Sequence, residues 1–310
     1  MKNSLKLACA VALAATAAFA PAANAGYTTT KYPIVLVHGI FGFKNFLGAD
    51  YFYQVPSTIT AEGGKVFIPA VSAGNSNEVR GEQLLNQLLT FKALSGSPKF
   101  NLIGHSQGSP TSRYVAAVRP DLVASVTSVD GVNKGSRVAD IVRKVAPAGT
   151  VTEAIAASVA NAFSTILSFA TGSTSLSQDT LAALDSLTTA GLTKFNSKYP
   201  AGVPSGCGEG AYTVNGIRYY SWGGGKALTN VLDPLDAGIG TLSLAFAFSG
   251  EANDGLVSTC SQRLGKVIRA DYGMNHLDAV NGYFGLVNIF ETNPKSVFRA
   301  HANRLQSVGL

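Results

Sequence analysis

Charged side chains are scarce in this chain. Asp, Glu, Lys and Arg make up 14% of its 310 residues. That fits an exported protein with much apolar surface. The excess of positive charge is small, 24 Lys and Arg against 18 Asp and Glu, or +6. No Lys/Arg cluster is present, so nothing points to a nucleic-acid partner. Beyond residue 25 there is no run of 18 or more apolar residues, the order of length a bilayer span needs, so no spanning helix is expected there. No internal repeat is visible. Cysteine is limited to Cys9, Cys207 and Cys260.

What is present at the N-terminus has the pattern of a secretory signal peptide over residues 1–25. Lys2 and Lys6 lead into a short apolar run at 7–19, and Ala23-Asn24-Ala25 is a small-x-small cleavage site. Cleavage there leaves 26–310 as one domain of about 285 residues, with charge +4 once Lys2 and Lys6 are gone. Cys9 lacks the lead-in of a lipoprotein signal. The two cysteines that remain, Cys207 and Cys260, suggest one disulfide in an exported chain. Closing a loop of about 54 residues stabilises by roughly 4 kcal/mol in the chain-entropy picture.

Continuous apolar runs at 33–39, 65–69, 100–104, 122–129 and 266–269 read as strands buried on both faces. Residues 78–94 have helical spacing, with Val79, Leu84, Leu85, Leu88 and Leu89 against Glu78, Arg80, Glu82 and Gln83. Residues 111–118 read as another helix. Strands alternating with helices argue for an α/β fold with a mostly parallel sheet and right-handed crossovers. Two regions break the alternation. Residues 141–170 are alanine- and valine-rich with Ile155, Val159, Phe163, Ile166, Leu167 and Phe169 at helical spacing, and 191–240 are rich in Gly, Pro, Tyr and Asn. Within the second, Asn215-Gly216 between alternating apolar residues predicts a hairpin over 212–220.

The sharpest motif is Gly104-His105-Ser106-Gln107-Gly108. It fits G-x-S-x-G, a nucleophile elbow on a tight strand-to-helix turn, and the strand before it and the helix after it are both in place. A serine nucleophile needs a base and an acid to orient that base, in the chain order Ser, Asp/Glu, His. Of four histidines, His105 adjoins the serine and is expected to point away, and His38 precedes it. His276, in a loop after the strand at 266–269, is the favoured base; His301, in a helix-like stretch, reads as structural. Among the acids Asp254 stands out, on a turn before Gly255. Asp121, Asp140, Asp179 and Asp185 read as caps or surface charges. Asp130, Asp233, Asp236 and Asp271 stay open on pattern alone. Backbone N–H groups of Gln107 and of Ile40, in the loop after His38-Gly39, are the expected oxyanion donors.

At this point the chain resembles the true lipases of the Pseudomonas–Burkholderia group. The likeness is carried by 32–39, 78–85, 101–108, 113–122, 207–212, 252–257 and 274–278, and so spans essentially the whole chain after residue 25. The resemblance implies an α/β-hydrolase fold with a helical lid at about 147–169, and a secreted, extracellular triacylglycerol lipase that crosses the periplasm. It implies Ser106, Asp254 and His276 as the triad and Cys207–Cys260 as the disulfide. It implies one structural calcium held by Asp233 and Asp278 and by the carbonyls of Gly282 and Leu286; hard oxygen ligands of this kind suit that ion. Gly282 departs from the larger residue usual in the group, and Ser109-Pro110 from its further glycine. Partners implied are the lipid–water interface, a dedicated foldase chaperone and the type II secretion machinery. The competing readings are an esterase for short soluble esters and a secreted binding protein without activity.

Overall fold

The computed structural model describes residues 26–40, 42, 50–146, 151–170 and 176–310, with backbone only at 167–170. The leader at 1–25 and the first part of the expected lid, 147–150, lie outside the described residues. The elements run β1 (Ile34–Val37), α1 (Val55–Thr60), β2 (Val66–Phe67), α2 (Asn77–Ser95), β3 (Phe100–His105), α3 (Gly108–Val118), β4 (Val123–Val129), α4 (Arg137–Val142) and α5 (Glu153–Ala170). They continue α6 (Thr180–Leu187), α7 (Thr189–Lys198), β5 (Thr213–Val214), β6 (Ile217–Gly224), α8 (Asp236–Leu242), β7 (Lys266–Tyr272) and α9 (Pro294–Ser307).

The sheet order is β2-β1-β3-β4-β6, and every one of these pairs is parallel. The outer edge of β6 is shared. β5 pairs antiparallel with its start and β7 parallel with its second half. The expected hairpin is therefore there, and Asn215 and Gly216 take the two positive φ angles, 51° and 75°, that its tight turn demands. Its second arm does not stop at residue 220. It continues as β6 into the middle of the sheet, inside a region the sequence pattern marks as irregular.

Alternation along the strands sends side chains to two apolar layers. Ile34 and Leu36 join Phe52, Ile103, Trp222 and Phe298 on the face covered by α1 and α9. Val35 and Val37 join Leu84, Leu88, Leu102, Val115 and Val126 under α2 and α3. β1, β3 and β4 are buried at every position, which is why they read as unbroken apolar runs. The long α2 is capped by Ser76, whose side chain accepts from the Val79 N–H, and ends at Gly96 with φ 69°. The apolar stretch at 141–170 takes in the end of α4 and the whole of α5, whose residues carry the helical spacing.

His301 is a core residue on α9. It is fully buried against Tyr220 and Trp222. Arg304 donates to its Nδ1 at 3.1 Å, so Nε2 carries the proton and donates to Thr127 Oγ1 at 2.8 Å. Burial, and then Arg304, hold its pKa well below the ordinary 6.5. A neutral buried histidine refuses a proton that the unfolded chain accepts, so its contribution is present above pH 6.5 and declines as pH falls below it. We predict that His301→Gln destabilises at pH 8, and that the gap to wild type narrows by about 1.4 kcal/mol at pH 5.5. Urea unfolding at the two pH values checks this; a gap that widens on acidification would contradict it.

Candidate active site

The site is built where β3 meets α3. Ser106 sits in that turn with φ 54°, a left-handed conformation unfavourable for a residue with a side chain. The turn survives because its flanks are glycines. A β-carbon on Gly104 would lie 2.2 Å from the Gly108 carbonyl oxygen, and one on Gly108 would lie 2.1 Å from the Val37 carbonyl oxygen. Backbone stacks directly on backbone at both places, leaving no volume for a side chain. The Ser106 N–H donates to the Val129 carbonyl at 3.0 Å, and the Ser106 carbonyl accepts from Ser109 and Val132. The strained turn is thus pinned to the end of β4. Gln107 anchors it sideways, its Nε2 donating to the Asn75 carbonyl and to Asn77 Oδ1 at 2.8 and 3.1 Å.

His276 lies in the loop after β7, as its position in the chain suggests. Its Nδ1 is 2.7 Å from Asp254 Oδ2. A carboxylate only accepts, so Nδ1 carries the proton. The His276 N–H also donates to the Asp254 carbonyl at 2.9 Å, which fixes the two residues to each other twice. Asp254 itself accepts four hydrogen bonds: Leu256 N–H and Val257 N–H at Oδ1, Gln262 Nε2 and the His276 ring at Oδ2. Ser106, Asp254 and His276 are all buried, at 3%, 0% and 4% exposure.

His105 does not simply point away into the core. It ties the elbow to the base. Its Nε2–H donates to the His276 carbonyl at 2.8 Å, leaving Nδ1 to accept from the Tyr51 hydroxyl at 2.6 Å. That hydroxyl in turn accepts from the Gly39 N–H at 2.9 Å. Burial holds the His105 ring neutral, its pKa well below 6.5. Nothing in the sequence pattern singles out Tyr51, because the link runs across 54 residues.

The loop leading to Ile40 passes against the serine. A β-carbon on Gly39 would stand 2.6 Å from Ser106 Cβ. Its carbonyl is 2.9 Å from His38 Nδ1, which donates to it. The His38 carbonyl accepts from Arg80 Nη2 at 2.5 Å, and Arg80 also reaches Ser72 O and Thr111 Oγ1. Burial brings the Arg80 pKa down to about 9 and His38 down to about 3, with the Arg80 charge as second cause for the histidine. Arg80, part of a helix pattern in the sequence, is here a brace for the segment before Ile40.

Of the four oxygen ligands implied by resemblance, Asp233 and Asp278 are both buried, and Asp233 Oδ2 and Asp278 Oδ1 lack hydrogen-bond partners. Burial raises the Asp278 carboxyl to about 7 and Asp233 to about 6, and the Asp233 charge adds to the rise at Asp278. Gly282 and Leu286 follow Asp278 in the same segment, which is joined to the Asp233 loop by Asn230 Nδ2 donating to the Val287 carbonyl at 3.0 Å. Two partnerless buried carboxylate oxygens fit a hard cation. Asp236 is not a competitor for the catalytic acid: it accepts from Thr229 and Asn275. Asp271 pairs with Arg269 on the surface. Cys207 and Cys260 form the expected disulfide, with Cα atoms 4.7 Å apart.

A family model described as the alpha/beta hydrolase fold matches residues 32–242. The chain belongs to the α/β-hydrolase family. Within it, a triacylglycerol lipase of Vibrio cholerae is 56% identical over 92% of this chain and 91% of its own. Triacylglycerol lipases of Pseudomonas fragi and Burkholderia plantarii are 43% and 40% identical, over 91% and 95% of this chain and 98% and 92% of theirs. Lipase BlEst2 of Bacillus licheniformis in its mature form shares the fold with a TM-score of 0.61 at 16% identity, over 91% of this chain and 93% of that one. This α/β hydrolase is therefore an enzyme of the same family as those lipases.

The glycine contacts generate a prediction. Gly104→Ala drives a methyl into a carbonyl that cannot move without displacing α3, and should destabilise by about 3 kcal/mol, the upper part of the usual overpacking range. A denaturant midpoint within error of wild type would show that the elbow has slack.

Proposed function

We propose that this α/β hydrolase is a secreted triacylglycerol lipase that cleaves long-chain acylglycerols through Ser106, His276 and Asp254. The observation that carries the reading is the buried 2.7 Å pair of His276 Nδ1 and Asp254 Oδ2, held by His105 against the elbow that presents Ser106. With Nδ1 committed to Asp254, His276 Nε2 takes the Ser106 hydroxyl proton as the serine oxygen attacks the ester carbonyl. The tetrahedral oxyanion is met by the backbone N–H groups of Ile40 and Gln107. Collapse expels the alcohol oxygen, which receives the proton from His276, and leaves an acyl-Ser106. Water, deprotonated by His276, then attacks the acyl carbon and releases the fatty acid with the serine reprotonated.

The names borne by the relatives support triglyceride as substrate, and so does α5. It forms the described part of the expected lid, and its buried Val159 and Phe163 share an apolar cluster with the half-buried Ile40, Leu256 and Leu277 beside the site. We assign α5 the role of lid. Asp233, Asp278 and the carbonyls of Gly282 and Leu286 would hold a calcium ion that neutralises two buried carboxylates and braces the loop two residues beyond His276. Export by the leader at 1–25, passage by type II secretion and folding on a dedicated foldase rest on the resemblance of the sequence to its group.

Three outcomes are expected. Ser106→Ala should lower hydrolysis by about 10⁴-fold or more with an unchanged circular dichroism spectrum; retained turnover would remove the mechanism. The rate on a triglyceride, followed through its solubility limit, should climb once droplets form. A rate that saturates below that limit would make the protein an esterase for dissolved esters. Chelation by EDTA should lower Tm by roughly 5–10 °C, from a linkage of about 3 kcal/mol, and Asp278→Ala in excess calcium should match it. An unmoved Tm would rule out the ion.

A further inference from the structure

A second carboxyl lies beside the catalytic acid. Asp130 follows β4 and is fully buried, with φ 45°. Its N–H donates to the Trp222 carbonyl, and its Oδ1 accepts from the Gly224 N–H at 2.7 Å. Gly224 and Gln262 bridge it to Asp254, Gln262 Nε2 donating both to the Gly224 carbonyl and to Asp254 Oδ2. It also stands with His105 and His276 in a group whose polar atoms fall within 4.8 Å of one another. The histidine nitrogens that face partners here are already spoken for, by Tyr51, Asp254 and the His276 carbonyl, so the group is not a cation site.

The donors around Asp254 fall short of the buried acceptors. Asp130 Oδ2 and Gln262 Oε1 are both buried and both lack a donor. Flipping the Gln262 amide does not help, because its Nε2 already serves Asp254 Oδ2, the Gly224 carbonyl and the Val257 carbonyl. All the donors that face Asp254 leave Asp130 Oδ2 with none. Two ionised carboxylates in contact, away from water, repel strongly, and such pairs hold one proton between them.

We propose that Asp130 is a positioning residue for the triad, a neutral carboxylic acid whose O–H donates to the ionised Asp254. This rests on the Ser106–His276–Asp254 reading above. Burial first, and the Asp254 charge second, raise the Asp130 pKa well above the ordinary carboxylate range, in keeping with that assignment. Asp254, with four other donors, is the acceptor of the pair. The shared proton draws charge density from Asp254 and fixes its plane, so Asp254 holds the His276 ring without taking its proton outright.

The test compares two near-isosteric replacements in the mature enzyme on nitrophenyl butyrate. Asp130→Asn keeps an acceptor for Gly224 and replaces the O–H donor with an amide N–H; Asp130→Leu removes both. Leu should lower kcat by about 10²-fold with KM within twofold, and Asn should recover most of that loss. Should Asn fall as far as Leu, an ionised Asp130 is required and the proposal is overturned. If Asp130→Asn is inactive while Asp254→Asn is active, Asp130 is the acid itself, and the triad assignment fails instead. Should Leu not fold, infrared difference spectra settle the matter: wild type minus Asp130→Asn at pH 8 should show the carbonyl stretch of a protonated carboxyl. A carboxylate band in its place would overturn the proposal.

Discussion

At Gly104 and Gly108 the chain runs so close to itself that no β-carbon fits on either residue, and the geometry of the site follows from that approach. It draws α3 down onto the ends of β1 and β3, forces Ser106 to a positive φ, and brings the loop after β1 against the serine. The strain at Ser106 is of order 1–3 kcal/mol. It is held by hydrogen bonds at both the N–H and the carbonyl of that residue, to Val129, Ser109 and Val132, and by the apolar layers on either side of the sheet. A flexible serine would sample this turn rarely; here the surrounding fold leaves it no alternative.

Around the turn the protein keeps its charge under control in a dry interior. His38, His105 and His301 are held neutral by burial. Each has a defined tautomer set by a partner that can only accept or only donate. His105 is the clearest case, since the His276 carbonyl dictates its Nε2–H and thereby lets Tyr51 donate to Nδ1 and accept from Gly39. One chain of bonds therefore runs from the loop before Ile40, through Tyr51 and His105, to the backbone of the base. A shift of the base would be felt at the proposed oxyanion loop. Asp254, buried among these groups, accepts four hydrogen bonds.

Much of this was readable from residues alone, and what was not has a common cause. β1, β3 and β4 are buried on both faces, so their sequences are unbroken apolar runs. The elbow is local and is spelled by five consecutive residues. β6 escapes because it is made as Ile-Arg-Tyr-Tyr-Ser-Trp-Gly-Gly. Its glycines are there for close approach: side chains at 223 and 224 would strike Gln262 and the Met274 carbonyl. Composition of that kind reads as a loop. α6 and α7 escape because a single residue, Thr188, ends one and caps the other, leaving no linker to mark them. Asp130 was an open choice among the acids. Its role depends on Gly224, Asp254 and Gln262, and no pattern within its own neighbourhood announces such partners.

The same burial that makes the site electrostatically effective also closes it. Ser106 and His276 are 3% and 4% exposed, and a reacting carbonyl must come within about 3–3.5 Å of the serine oxygen. On the proposed reading α5 moves to admit substrate, and its displacement has a definite energetic sign. Val159 and Phe163 are buried against α8 and the segment after it, while Ser158, Asn161, Ser164 and Thr165 face outward. Lifting such a helix into water exposes large apolar side chains at about 1.5–3 kcal/mol each, together with the residues they leave behind. Lifting it into an oil phase exposes nothing to water. On the proposed reading, dependence on a lipid interface needs no separate sensor, because one apolar stripe finds cover in the closed form and in oil, and lacks it only in between.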